Sequence, residues 1–525
     1  MVILGIGGIL DEAAAAVLID GELVAAVEQK KVARSHRAGE LPREAIDACL
    51  QIAGVQPHQV NCAALVRPIG GGTDTALHLE LRARFSGAQV VLVDHHTAHA
   101  ASAYYPSGFE EATVLTLDRE GDLRCGALWK AAGNQLDLLR EMYFPDSLGD
   151  LYGRVTSLLG YEPNADEHKV QWLSTAGDGR FENLFLDILT APEGQWPRLQ
   201  RTYFDRNRVT RGGFSARFFE KLGLKEDEEI PASLKPAIAA GLQGAIEKTV
   251  IAMAGKGKNL ALAGGLAFNA LLVAALENSG NWENVFVQPV SGNTGTAIGA
   301  VFQAWFGTMR QSKRCGVGSL CLGPSYTAEQ IKQVLENCKL RFRYLLTTGE
   351  VIERAVAELN DDKIIAWMHG RMEFGPRALG NRSILASPRN PYSTENLNIY
   401  IKRREPFRKF AASVPEELAS EYFEVGPNAR FLATVGRVRN EHRKTFESAI
   451  LGKDLVRVHM VRRQDNELYW TLLHAAGKST GLPVLYNTSF NLFSDPLVCS
   501  PRDAVRSFYS SGIDSMFVGN FLLQK

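Results

Sequence analysis

The sequence predicts an α/β protein of two or three domains in which one strand pattern is used twice. Three observations carry that expectation: the length of the chain, a repeated run of three strands with an acidic first turn, and two successive strand–glycine turn–helix segments. A chain of 525 residues and 57.6 kDa exceeds what a single hydrophobic core supports. Hydrophobic residues at 45% and charged residues at 22% fit a globular protein. Lys plus Arg equals Asp plus Glu at 58 each, so no global field favours nucleic acid or a membrane, and neither is expected as a partner.

The strands follow in order. VILGIGG is a short apolar run ending in glycines, and AAAAVLIDGELVAAVEQK is two runs joined by Asp20-Gly21, a hairpin signal. The opening MVILGIGGILDEAA has no basic region, and Asp11 and Glu12 break its apolar stretch, so it is not expected to be a signal peptide. The pattern returns in EATVLTLDREGD, a strand ending in Asp118, followed by two strand-like runs around Gly133-Asn134. Three antiparallel strands used twice are the mark of the duplicated ribonuclease-H-like fold of actin, sugar kinases and heat-shock ATPases.

That fold needs a glycine turn against a nucleotide. NLALAGGLAFNA supplies a strand, Gly264-Gly265 and a helix beginning near Asn269; FVQPVSGNTGTAIGAVFQAW supplies a second strand, a turn with Gly292, Gly295 and Gly299, and a helix. Residues 307–325 read as a polar, Gly-rich linker, after which AEQIKQVLENC (helix) and KIIAWMHG (strand) open a new α/β pattern. The expected division is a domain over 1–312, a linker and lead-in helix over 313–350, and a domain over 351–525. No run is expected to reach the length of a membrane span. The cysteines at 49, 62, 125, 315, 321, 338 and 499 include no CxxC pair, so a reduced, cytoplasmic setting is expected.

Four constellations carry chemistry. In VVLVDHHTAHAASAYY, His95 and His99 are spaced i, i+4 on one face of a helix that follows an expected buried strand. With Asp118 they offer two nitrogens and one oxygen to a divalent ion, whereas His96 faces elsewhere and reads as structural. GRMEFGPRALGNRSILASPRNP concentrates Arg371, Arg377 and Arg382; IYIKRREPFRKFAASVPEE adds Lys402, Arg403, Arg404 and Arg408. Guanidinium groups match phosphate geometry, and Phe374, Pro376, Phe407 and Phe410 between them call for burial, so these blocks read as an oxyanion pocket rather than a solvated face. In PVLYNTSFNLFSDP, Asn487, Thr488 and Asn491 sit at a strand end as polar readers of a ligand.

The strings DHHTAHAASA, FGPRALGNRSILA, KRREPFRKFA and NTSFN, in this order, resemble the blocks of the carbamoyltransferase family of nodulation-factor and antibiotic biosynthesis, which modifies tobramycin, cephamycin and novobiocin-type compounds. The resemblance spans nearly the whole chain. It implies an N-terminal actin-like ATPase module similar to the universal tRNA threonylcarbamoyl transferase, and a C-terminal module similar to threonylcarbamoyl-adenylate synthase. It implies ATP and one divalent metal, iron or manganese before zinc, as cofactors. Carbamoyl phosphate and a hydroxyl-bearing small molecule, a secondary metabolite or sugar, are the implied partners, with a homodimer as the candidate assembly. The expected activity is O-carbamoyl transfer through a carbamoyl-adenylate.

By the same resemblance, His95, His99 and Asp118 match the metal ligands. Gly264, Gly265, Gly292 and Asn269 match the nucleotide turns. Arg371, Arg377, Asn381, Arg382, Lys402, Arg404, Arg408, Asn487 and Asn491 fall in the blocks around carbamoyl phosphate and ATP. Four positions depart from the family pattern. Asp11 stands where a histidine is usual and is the expected acid or base. Asn293 stands where an aspartate is the fourth metal ligand. Glu167 and Lys169 remain in a stretch whose glycine is Trp172, and Ser494-Asp495 replaces Gly-Glu. An alternative therefore stays open: a divergent member with altered or lost metal-dependent transfer, acting as a binding protein or on another acceptor.

Overall fold

The computed structural model describes every residue except 68–72, 192–194, 206, 209, 227, 315, 317, 493 and 494, so Cys315 and Ser494 lie outside the described residues. The strands Glu22–Glu28, Ala14–Ile19, Val2–Gly7, Cys62–Val66 and Gln89–Val93 form one sheet in that order. The first three are antiparallel neighbours, and the last two join in parallel. Asp20 and Gly21, with φ of 49° and 87°, close the first hairpin in the left-handed conformation that matches strand twist. A second sheet repeats the arrangement with Gln135–Tyr143, Arg124–Ala132, Glu111–Gly121, Gly257–Ala263 and Trp282–Val287. The two sheets share one strand order and one sequence of antiparallel and parallel pairings, which is the expected duplication.

The rest of the chain builds a ten-stranded mixed sheet. Its middle runs Ser515–Val518, Ile365–Met368, Arg382–Ala386, Leu485–Ser489, Ala411–Pro415 and Leu455–Val461. Alternation sends Ile365, Trp367 and Leu385 into one core and Ala366, Met368 and Ile384 into another, so both faces of these strands are covered.

Contact density divides the chain into two compact units, one of residues 1–94, 293–450 and 454–525, the other of 95–292 with 451–453. Within the first unit, residues 24–34 are tied to residues 371–375 and 496–503. Arg34 pairs with Asp503 at 2.8 Å, Lys31 donates to the Glu373 carbonyl at 3.1 Å, and Glu28 accepts from the Gly375 amide at 3.2 Å.

Three local expectations are corrected. The strand Gln89–Val93 is not buried: it lies at a sheet edge, and Leu92 is 49% exposed. Pro376 is exposed, unlike Phe374 and Phe410. The helix Lys235–Ala254 is long and apolar enough to cross a membrane, with a mean hydropathy of 1.2. Its Ala, Ile and Val side chains pack inside the protein, where 67% of the apolar window is buried.

Candidate functional site

The helix His95–Tyr104 begins directly after the edge strand. Ala98, Ala100, Ala101 and Ala103 are fully buried, and their small side chains let the helix lie close to its neighbours. One turn apart, His95 and His99 each place Nε2 3.0 Å from Asp118 Oδ2. The three donor atoms lie within 4.8 Å of one another, and His99 and Asp118 are buried. Gly121 makes room for this arrangement, because a Cβ there would lie 2.2 Å from the His95 ring. Burial pushes the Asp118 carboxyl up, but the hydrogen bonds from the two imidazoles hold it well below the usual carboxylate range. A carboxylate with two imidazole nitrogens is a donor set suited to a divalent ion, so these residues fit a metal.

His96 is not part of this set. Its Nδ1 meets Thr116 Oγ1 at 2.9 Å and its Nε2 meets the Arg124 carbonyl at 3.0 Å, while burial drives its pKa down to about 3. It is a neutral, structural histidine, as its position on the helix predicts.

The Gly264-Gly265 turn meets the same aspartate. Asp118 Oδ1 accepts from its neighbour Arg119 at 2.9 Å and from the Gly265 amide at 3.3 Å. Gly264 has φ of 95°, and a Cβ there would lie 2.1 Å from the Leu117 carbonyl oxygen, so only glycine fits. Asn269 caps the helix Ala270–Glu277 by accepting from the Leu272 amide at 3.0 Å, and it exchanges hydrogen bonds with Gln243. Gly292 packs against the Phe268 ring. Glu167 accepts from the Asn164 amide at 2.6 Å, with its carboxyl pushed up by burial, and Lys169 pairs with Asp166 at 3.0 Å.

Asp11 and Asn293 both belong to the first compact unit, where Asn293 Nδ2 donates to Asp11 Oδ2 at 3.4 Å. The following helix begins at Thr296, and Asn293 does not cap it with its side chain; its carbonyl accepts from the Thr296 hydroxyl at 2.5 Å.

The structure separates the cationic blocks into two groups. Arg371 donates to the carbonyls of Val24 at 2.8 Å, Leu322 at 2.6 Å and Gly323 at 3.2 Å. Arg382, fully buried, donates to the carbonyls of His369 and Asn381 at 2.8 and 2.9 Å. Asn381 holds the Arg371 carbonyl at 2.7 Å. Lys402 donates to the Ser489 carbonyl and to Asn491 Oδ1 at 2.8 Å, and Asn491 in turn donates to the Asp495 carbonyl at 2.6 Å. These side chains stitch loops together.

The second group is Arg377, Arg404 and Arg408, joined by Arg457. Burial drives the Arg404 pKa down to about 9, with repulsion from Arg408 adding to it and Glu405 opposing it; burial alone takes Arg377 down to about 10. Arg457 is pushed far down by burial and then by Arg377, Arg404 and Arg408. Arg404 is anchored by Nε to Asn398 Oδ1 at 2.7 Å and lies 4.4 Å over the Phe410 ring, while its buried second terminal nitrogen makes no hydrogen bond among the described residues. Sequence reading missed Arg457, and it missed Ser413 and His459 beside Asn487. The one available signal was a charged residue inside the apolar run LVRVHMV.

Buried neutral histidines in this module give a pH dependence. Burial takes His459 and His369 from the usual 6.5 down to about 3. Between those values the unfolded chain binds protons that the folded chain does not, so stability falls as pH falls through this window. His459→Gln should make the decline in urea-unfolding free energy between pH 6.5 and 5 shallower, by up to about 1.4 kcal/mol per pH unit. Identical slopes in the two proteins would contradict this assignment.

The fold and these clusters define an α/β protein with a candidate centre for a divalent ion in one compact unit and a guanidinium cluster in the other. A family profile described as Carbamoyltransferase N-terminus matches residues 73–302, and one described as Carbamoyltransferase C-terminus matches residues 356–525. Nodulation protein NolNO of Sinorhizobium fredii is 31% identical over 98% of this chain and 79% of its own length. Nodulation protein NolO of Bradyrhizobium diazoefficiens is 32% identical over 82% of this chain and 79% of its own. Among solved structures, component A of (R)-2-hydroxyglutaryl-CoA dehydratase from Acidaminococcus fermentans aligns over 57% of this chain and 96% of its own, at 16% identity and a TM-score of 0.36. The structure of P. abyssi Sua5 complexed with L-threonine aligns over 33% of this chain and 48% of its own, at 15% identity and a TM-score of 0.25. The chain belongs to the carbamoyltransferase family, and it is an enzyme of that class.

Proposed function

We propose that this enzyme is an ATP-using O-carbamoyltransferase acting on a small-molecule hydroxyl, with residues 1–312 as the transfer module, 313–350 as the connecting segment and 351–525 as the activating module. The observation that supports it most is the crowding of Arg377, Arg404, Arg408 and Arg457, whose mutual repulsion is relieved by an anion. Carbamoyl phosphate and ATP are both polyanions and need such a cluster before they can approach one another.

The chemistry balances in two steps. Carbamoyl phosphate and water give carbamate and phosphate; a carbamate oxygen attacks the α-phosphorus of ATP, the bond to the β-phosphate breaks, and pyrophosphate leaves. The acceptor oxygen then attacks the carbamoyl carbon, its proton passes to a base, and AMP leaves. Asp11, exposed and held by Asn293, is the proposed base. His95, His99 and Asp118 would hold a divalent ion, iron or manganese by the family resemblance, which supplies Lewis-acid stabilisation of phosphate oxygens. Product analysis tests the reading: with carbamoyl phosphate present, ATP should yield pyrophosphate and AMP. ADP with orthophosphate as the nucleotide products would contradict it.

A further inference from the structure

The register of the mixed sheet brings three residues to one level. Ala411 pairs with Asn487 on one side and with Arg457 on the other. In-register residues on neighbouring strands point to the same face, about 5 Å apart. Between Asn487 and Arg457, therefore, the central strand contributes only a methyl group. Asn487 is 3% exposed, and its Nδ2 donates to the Ala378 carbonyl at 3.0 Å and to Ser413 Oγ at 3.3 Å. Ala378 follows Arg377 in the chain, so the amide is fastened beside the guanidinium cluster.

The orientation of this amide is fixed, because a carbonyl can only accept; turning the side chain over would set two oxygens against each other. Asn487 Oδ1 is consequently a buried acceptor, and it has no hydrogen-bond partner among the described residues. A buried acceptor left open is costly and calls for a ligand that brings a hydrogen-bond donor. At the same level of the sheet Arg457 carries a guanidinium close to those of Arg377, Arg404 and Arg408, donors that suit phosphate oxygens. An acyl phosphate entering this site meets donors for its phosphate and a single fixed acceptor for its acyl end.

We propose that Asn487 is the residue that selects the carbamoyl donor, its Oδ1 accepting from the carbamoyl NH2 group, while Arg457 joins Arg377 and Arg404 on the phosphate. This inference rests on the proposed function and adds to it the group that tells carbamoyl phosphate from an acyl phosphate ending in carbon. Acetyl phosphate has the same charge and nearly the same shape, but a methyl group where carbamoyl phosphate has NH2. It leaves Oδ1 unpaired, and a site built around a polar contact rejects the analogue that lacks it.

Calorimetric titration of the full chain with carbamoyl phosphate and with acetyl phosphate tests this directly. Wild type should bind carbamoyl phosphate about 10- to 100-fold more tightly. Asn487→Ala should bring the two affinities within about threefold while acetyl phosphate binding is kept, and Arg457→Lys should weaken both while preserving their ratio. Equal wild-type affinities would overturn the inference and leave the proposed function standing. Binding of neither phosphate would overturn both. Equal weakening of both phosphates in Asn487→Ala would make Asn487 a structural residue and overturn its role in selection. ATP titrated alone covers the other amino group available, that of adenine; an effect of Asn487→Ala confined to ATP would assign the open acceptor there and also overturn the proposal. The wild-type ratio needs no substitution, so a variant that fails to fold does not remove the test.

Discussion

Arg404→Ala should cut carbamoyl phosphate-dependent pyrophosphate release by about 30- to 5,000-fold, the kinetic equivalent of roughly 2–5 kcal/mol for losing a desolvated charge-assisted contact. The side chain is held at two points, by Asn398 at Nε and by the Phe410 ring beneath the guanidinium, which leaves a buried nitrogen free to donate. That nitrogen makes no hydrogen bond among the described residues, so the stability cost should come from the Asn398 bond and the Phe410 contact, about 1–3 kcal/mol, and be smaller than the effect on activity. Arg382→Ala is the contrasting case. Its guanidinium satisfies several buried carbonyls, and removing it should lower stability and abolish activity only through loss of the folded module. Unchanged pyrophosphate release in a folded Arg404→Ala protein would remove the cluster from the activation step.

His99→Ala should lower bound divalent metal from about one equivalent per chain to less than about a tenth, measured by elemental analysis after dialysis against a metal-buffered solution. The substitution removes one of two imidazoles that meet Asp118, and the two remaining donors hold an ion far less tightly. His96→Gln provides the control. His96 serves Thr116 and the Arg124 carbonyl, so its loss should reduce stability by about 1–3 kcal/mol and leave metal content alone. Metal that survives His99→Ala at full occupancy would mean that other residues hold it. A wild-type protein that takes up no metal even with ATP would favour the divergent, metal-free reading left open by Asp11 and Asn293.

These contrasts show what was legible in the sequence. The two meanders were, because Asp20-Gly21 and Gly133-Asn134 mark hairpins and the runs on either side of them have the length of strands. The His95, His99 and Asp118 set was legible too: helical spacing puts the histidines on one face, and an acidic residue near the end of a strand is a common way to complete such a site. The arginine blocks were legible as a group but not one by one. A guanidinium that gathers backbone carbonyls and one that keeps a terminal nitrogen open use the same donors, so Arg371 and Arg404 look alike in sequence and differ only in what surrounds them. Lys402 likewise is a loop tie whose partners lie almost ninety residues away. Arg457 was hidden for another reason. One arginine in a strand carries no motif, and only the register through Ala411 brings it level with Asn487.

Isotope exchange between labelled pyrophosphate and ATP tests adenylate formation without any acceptor. Label should enter ATP when carbamoyl phosphate is present and should not when it is withheld. Exchange that ignores carbamoyl phosphate, or none with any carbamoyl donor, would contradict it.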